Sequence, residues 1–132
     1  MNKISLDPNL GVLFLRLIVG LSMAFAHGLS KVPPPDKFIE GVGAMGFPLP
    51  LVFAWSAGLS ELLGGLFIAL GLWTRLSSLM MGFTMLIAAF VAHAADPFAK
   101  KEMALLYLAS CLLLIFQGPG RFSLDQWRSK KK

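Results

Sequence analysis

The chain has 132 residues, 56% of them hydrophobic and 14% charged, with 12 Lys+Arg against 7 Asp+Glu and a formal net charge of +5. A soluble domain coats itself with roughly 25% charged residues, so this composition, at a mean hydropathy of +0.71, excludes a small soluble domain and indicates a single integral membrane domain over residues 1–132. It also excludes a disulfide scaffold, because Cys111 is the one cysteine. Nucleic acid is excluded as a partner: the basic excess of Arg128, Lys130, Lys131 and Lys132 follows an apolar run, where such charges orient a membrane protein and meet lipid.

A helix needs roughly 20 apolar residues to cross a bilayer, and four runs of about that length are present, near 10–32, 50–73, 76–95 and 102–117. The first, Leu10 to Val32, is interrupted by Arg16 and His27 and stopped by Pro33, Pro34 and Pro35, which cannot continue a helix. Leu17 to Ala26 has the form of a signal-peptide core, but the apolar stretch continues past it through Leu29 and Val32, so the segment reads as a retained span. Between the first two runs, Phe38, Val42, Met45 and Leu49 recur at helical spacing and predict a short interfacial helix or half-inserted loop. The second run holds one acid, Glu61, and the third one histidine, His93. The fourth is short, so it starts a turn earlier or lies with little tilt, and Gly118-Pro119-Gly120 ends it.

The connections at Trp73-Thr74-Arg75 and Asp96-Pro97-Phe98 leave room only for tight turns, which makes consecutive helices antiparallel neighbours. The expected fold is an all-α four-helix transmembrane bundle with residues 118–132 as a basic cytoplasmic tail. Lys3, Arg16, Arg75, Arg121, Arg128 and Lys130 to Lys132 fall on one side, and Lys31, Lys37, Lys100 and Lys101 on the other. That distribution puts both termini in the cytoplasm and the chain in a bacterial inner membrane.

An ionisable group at the centre of a span costs roughly 2.5–3.5 kcal/mol on insertion scales, so such groups face the bundle interior and find partners. At about 100° per residue, Arg16, His27 and Lys31 fall within about 60° of one another, beside Gly20, Ala24 and Gly28. Ala57, Glu61, Gly65 and Ala69 make a matching stripe of small residues on the second span. Gly82, Ala89 and His93 share a face of the third, and Tyr107, Ser110, Cys111 and Gln117 a face of the fourth. These stripes predict a pocket reached from the outer side and floored by Glu61, which pairs with Arg16 or with the His27/Lys31 cluster. Arg16, His27, Lys31, Glu61, His93 and Tyr107 are the candidate ligand-binding or proton-handling residues. Plainer roles stand beside each: Lys31 reaching to the interface, Arg16 and Glu61 as a register-fixing ion pair, Tyr107 as a belt aromatic, and Glu102 as a cap on the fourth helix. No His/Cys spacing supports a metal site, and none is assigned.

The same residues carry a resemblance. The ordered set Leu15-Arg16-Leu17, His27-Gly28-Leu29-Ser30-Lys31, Gly46-Phe47-Pro48-Leu49-Pro50, Glu61-Leu62-Leu63-Gly64-Gly65, Gly71-Leu72-Trp73-Thr74-Arg75 and Gly118-Pro119-Gly120-Arg121-Phe122-Ser123-Leu124-Asp125 resembles the DoxX family of small bacterial membrane proteins. The resemblance implies a four-helix inner-membrane bundle and a link to redox physiology. Its relatives include DoxD-type subunits of thiosulfate:quinone oxidoreductase and a mycobacterial membrane oxidoreductase complex. Physically, Gly118, Pro119 and Gly120 turn the chain, Arg121 reaches back to the last carbonyls of the fourth helix, and Asp125 answers Arg75 or Arg121, which favours a structural clamp over a partner-docking site.

The leading expectation is a redox-associated membrane subunit whose pocket takes a quinone-like or other small polar-headed ligand, His, Glu, Lys and Tyr being able to exchange protons with quinone oxygens. The chain holds no complete catalytic motif, so electrons would come from a soluble or membrane partner protein or from the ligand. A non-catalytic scaffold is one alternative, and a small proton-coupled transporter, working as a homo-oligomer, is another.

Overall fold

A computed structural model describes residues 6–131; Lys3 and Lys132, used above for orientation, lie outside the described residues. The elements are α1 (Pro8–Lys31), α2 (Asp36–Ala44), α3 (Pro50–Leu70), α4 (Thr74–Ala92), α5 (Phe98–Gln117) and α6 (Leu124–Ser129), and the described residues contain no strand. Helix ends follow local chemistry. Asp7 caps α1 by accepting from the Asn9 N–H at 3.0 Å, with Pro8 at the first helical position. Gly71, at φ 68°, ends α3 in a Schellman motif, in which the Leu72 and Gly71 amides donate to the carbonyls of Phe67 and Ile68. α1 widens over Met23–Gly28 and closes in a tighter 3-10 turn over Leu29–Lys31, and the last turn of α4, Ala88–Ala92, is wider than an α-helix.

α1, α3, α4 and α5 share one core, built from Val12, Val19 and Met23, Ile68, Met81 and Met85, and Cys111 and Leu114. Glycine sets how closely the helices approach. A β-carbon on Gly65 would stand 2.6 Å from the Gly20 carbonyl oxygen, and one on Gly58 would stand 2.5 Å from that of Lys31. One on Gly28 would overlap the Leu62 amide. The two small-residue stripes therefore do meet, backbone on backbone, along the whole of the α1–α3 contact. Between α4 and α5 the close point is Gly82 on Cys111.

Polarity is inverted relative to a water-soluble fold. Arg16, Ser60, Glu61, Thr74, Ser77 and Ser78 are buried, while Phe14, Ile18, Phe83, Phe90 and Leu106 lie on the outside. Three helices, α1, α3 and α4, are long and apolar enough to cross a membrane. By length and composition the fourth expected span, near 102–117, is not shown. α5 does begin a turn earlier than Glu102 and reaches 20 residues, but Lys100, Lys101 and Glu102 sit in its first turns and shorten its apolar length. The predicted interfacial element exists as α2, although its stripe of Phe38, Val42 and Met45 faces a pocket inside the protein.

The glycine contact yields a paired prediction. Gly20→Leu forces a side chain into α3 and lowers stability by about 3 kcal/mol or more, the upper range for overpacking. Gly11→Leu, whose β-carbon meets nothing within 4 Å, stays within about 0.5 kcal/mol. Reversible unfolding of the detergent-solubilised protein separates the two.

Candidate functional site

The contact that carries Gly28 and Gly58 puts the end of α1 level with the middle of α3. From there the Lys31 side chain runs back about one turn to Glu61, and its Nζ lies 2.7 Å from both carboxylate oxygens. The Glu61 side chain is 2% exposed and that of Lys31 27%. α2 folds over the pair, bringing the Phe38 ring to 5.2 Å from Nζ.

Beside the pair lies a pocket of about 240 Å³ between α2, α3 and α4. Its walls are mainly apolar, with Phe38, Phe47, Phe53, Phe83 and Met80 the largest groups. Its hydroxyls are engaged with one another and with helix carbonyls. Ser56 Oγ donates to the Val52 carbonyl at 2.8 Å, Thr84 Oγ1 to that of Met80 at 3.1 Å, and Ser60 and Thr84 share a 3.0 Å bond. With Thr84's proton on Met80, Ser60's proton goes to Thr84. An ammonium has three N–H groups and two of Lys31's point at Glu61. Among the described side chains that line the pocket, the third N–H of Lys31 is the donor left for an occupant. The site can hold an apolar, ring-sized body and bind one acceptor atom at its end.

The structure distributes the six candidate residues over four places. Lys31 and Glu61 come together at the pocket. Arg16 lies toward the other end of α3, fully buried, with no carboxylate within salt-bridge distance among the described residues. Nε donates to the Ile68 carbonyl at 3.0 Å and Nη2 to that of Ala69 at 3.0 Å, while Nη1 donates to Pro119 at 2.6 Å and Phe122 at 2.9 Å. His27 and Tyr107 meet edge to face at 5.7 Å between α1 and α5. His93 is tied to Asp96 at 2.7 Å in the α4–α5 turn. Glu102 makes no cap: α5 starts at Phe98 behind Pro97, which leaves Glu102 exposed in the second turn. Among the described residues no three His, Cys, Asp or Glu side chains gather as metal ligands.

The closing motif is a clamp with different partners from those expected. Arg16, rather than Arg121, reaches the carbonyls of this turn, and Arg121 pairs with Asp7 at 2.8 Å. Gly118 and Gly120, at φ 82° and 74°, make the reversal around Pro119. Asp125 caps α4 from a distance, its Oδ1 accepting from the Trp73 N–H at 2.7 Å and its Oδ2 from that of Thr74 at 2.8 Å. Trp73 takes a left-handed φ of 44° there, a strained choice for a bulky residue that the carboxylate holds in place. Sequence reasoning missed the pocket wall of α2 and the Ser60–Thr84 pair; hydroxyls inside apolar runs were the available signal.

The comparisons with known proteins agree on one family. The DoxX family model matches residues 11–94. An uncharacterized protein of Haemophilus influenzae is 36% identical over 126 residues, covering 89% of this chain and 90% of its own. The Bacillus subtilis protein named "Putative oxidoreductase CatD" is 32% identical, covering 93% and 90%. The Escherichia coli protein named "Inner membrane protein YqjF" is 33% identical, covering 93% and 95%. No solved structure matches the chain.

Two predictions concern the clamp. Arg16→Met takes the donor from the Ala69, Pro119 and Phe122 carbonyls, while Ile68 keeps the Gly71 amide, at about 1–3 kcal/mol for each that stays buried and unpaired, so the variant unfolds at markedly lower denaturant; Asp125→Ala loses a cap worth about 1 kcal/mol. At the other partner, hydrogen bonds from the Asn9 side chain and amide, with Arg121 adding attraction, hold the Asp7 carboxyl below its usual 3.8. A lowered carboxyl pKa stabilises above the unfolded value and ceases to do so as pH falls through the folded one. The gap in thermal midpoint between the native chain and Asp7→Ala is therefore full above about pH 4 and shrinks on further acidification.

Proposed function

The chain belongs to the DoxX family of membrane proteins, and from that premise and the geometry around Glu61 we propose that it is a redox-associated membrane subunit that binds a quinone-like ligand between α2, α3 and α4. The observation that carries the reading is the pairing of an apolar, phenylalanine-lined pocket with one unengaged Lys31 N–H beside a buried carboxylate. A quinone head offers a flat apolar ring and an acceptor oxygen, which are the two things this pocket can recognise. At about 240 Å³ it lies just below the roughly 300–1,000 Å³ of ligand pockets, so it suits one ring, with any longer tail lying outside. Glu61, whose two carboxylate oxygens accept from Lys31, orients the ammonium so that its third N–H is left for the ligand oxygen. The word oxidoreductase in the name of CatD supports a redox role.

The same reading places the chain in an inner membrane, as the name of YqjF suggests, with α5 as a fourth, shallow span and both termini on the cytoplasmic side. The apolar part of α5 is short, and a bilayer accommodates such a helix by thinning around it and by its terminal lysines reaching to the interface.

Titration of the full chain in nanodiscs with short-tailed ubiquinone and menaquinone analogues tests the proposal. Lys31→Met weakens binding roughly 10- to 100-fold, the loss of a hydrogen bond from a charged donor worth about 1.5–3 kcal/mol. Ala57→Phe fills the pocket from the same wall as Glu61 and abolishes binding while the protein stays folded. His27→Ala and His93→Ala, outside the pocket, bind as the native chain does. A folded native protein that binds no analogue, or an Ala57→Phe variant that binds normally, overturns the proposal.

A further inference from the structure

The two ends of the bundle differ in charge. At one end, Lys37, Lys100 and Lys101 are interspersed with Asp36, Glu40, Asp96 and Glu102. At the other end, where α1 starts, α3 turns into α4 and α5 gives way to α6, the acids are Asp7 and Asp125, and both are engaged. Asp7 faces Arg121 at 2.8 Å. Both oxygens of Asp125 accept backbone amides of the α3–α4 turn. Arg16 is buried and occupied by carbonyls. Arg75, Arg128, Lys130 and Lys131 remain, all exposed, with no carboxylate within salt-bridge distance among the described residues.

Large aromatic groups surround these cations. Trp73 is 52% exposed and Trp127 56%. The Arg128 guanidinium lies 5.6 Å from the Trp73 ring, and the Lys131 ammonium 3.7 Å from that of Trp127. Tryptophan at the ends of apolar helices sits at headgroup depth, with its body in the acyl boundary. Cations stacked on such rings are held at the depth of lipid phosphates.

We propose that this end is a docking surface for anionic phospholipid headgroups. Arg75, Arg128, Lys130 and Lys131 meet the phosphates, and Trp73 and Trp127 fix the depth. The unbalanced charge selects anionic over zwitterionic lipid, each cation near the surface adding about 1 kcal/mol, or fivefold. An acidic protein would satisfy the charge but would leave the two indoles, level with the helix ends, without an apolar layer to enter.

The indoles are also the probes. The third tryptophan is Trp55, so Trp55→Phe leaves fluorescence from Trp73 and Trp127 alone. The full chain is reconstituted in phosphatidylcholine vesicles carrying equal minor fractions of brominated phosphatidylglycerol or brominated phosphatidylcholine. The expected result is quenching several-fold stronger by the anionic lipid. That preference weakens as the Debye length contracts from about 30 Å at 0.01 M to 3 Å at 1 M salt. It disappears in Arg128→Gln/Lys130→Gln/Lys131→Gln, whose thermal midpoint stays unchanged because the three side chains are exposed. Equal quenching by both lipids in the Trp55→Phe chain, which an acidic protein partner would predict, overturns the proposal, as does a preference that survives the triple substitution.

Discussion

The placing of Arg16 and Lys31 depends on how closely α1 and α3 lie. In a bilayer, lipid tails are as apolar as leucine, so helices gain by packing rather than by leaving water. Gly20, Gly28, Gly58 and Gly65 allow that packing to be backbone against backbone. Arg16 and Lys31 stand on α1 on either side of this contact, about 22 Å apart along the axis at 1.5 Å per residue. Each can reach α3 because the helices nearly touch: Arg16 finds the carbonyls of Ile68 and Ala69, and Lys31 finds Glu61.

The two cations do different things, and burial separates them. Arg16 has four carbonyl acceptors, is 1% exposed and faces no opening. Its fork of donors ties α1, the end of α3 and the turn after α5 into one unit. Lys31 is partly open, has two of its three N–H groups on Glu61, and borders the pocket. Arg16, shut away from any opening, organises the fold, whereas Lys31 keeps a donor beside apolar space, the feature on which the proposed ligand recognition rests.

The all-helical architecture was legible in the sequence, because long apolar runs broken by Pro33–Pro35, Gly71 and Gly118–Gly120 admit few alternatives. The small-residue stripes were legible too, since four-residue spacing on a helix has one geometric meaning. Partner choice was not. Helical wheels placed Arg16 on the same stripe as Lys31, but they hold no information about the carbonyls of a turn 103 residues away in sequence. His93 illustrates a second limit. It shares a face with Gly82 and Ala89, but the widened last turn of α4 carries it into the turn beside Asp96. α5 shows a third, in that hydropathy alone does not weigh two lysines and a glutamate packed into one turn.

The cap that Asp125 places on α4 also bears on the order in which the protein is made. Asp125 is 52 residues beyond Trp73 and leaves the ribosome several seconds later at about 5–20 residues per second. Until then the first amides of α4 lack their acceptor. The Arg16 guanidinium, inserted with the first helix, must likewise wait for Pro119 and Phe122. The helices are therefore made before the bundle can be locked. For that interval the first helix carries, in the middle of an apolar run, an arginine whose hydrogen bonds are incomplete, and it stays so until the closing turn arrives.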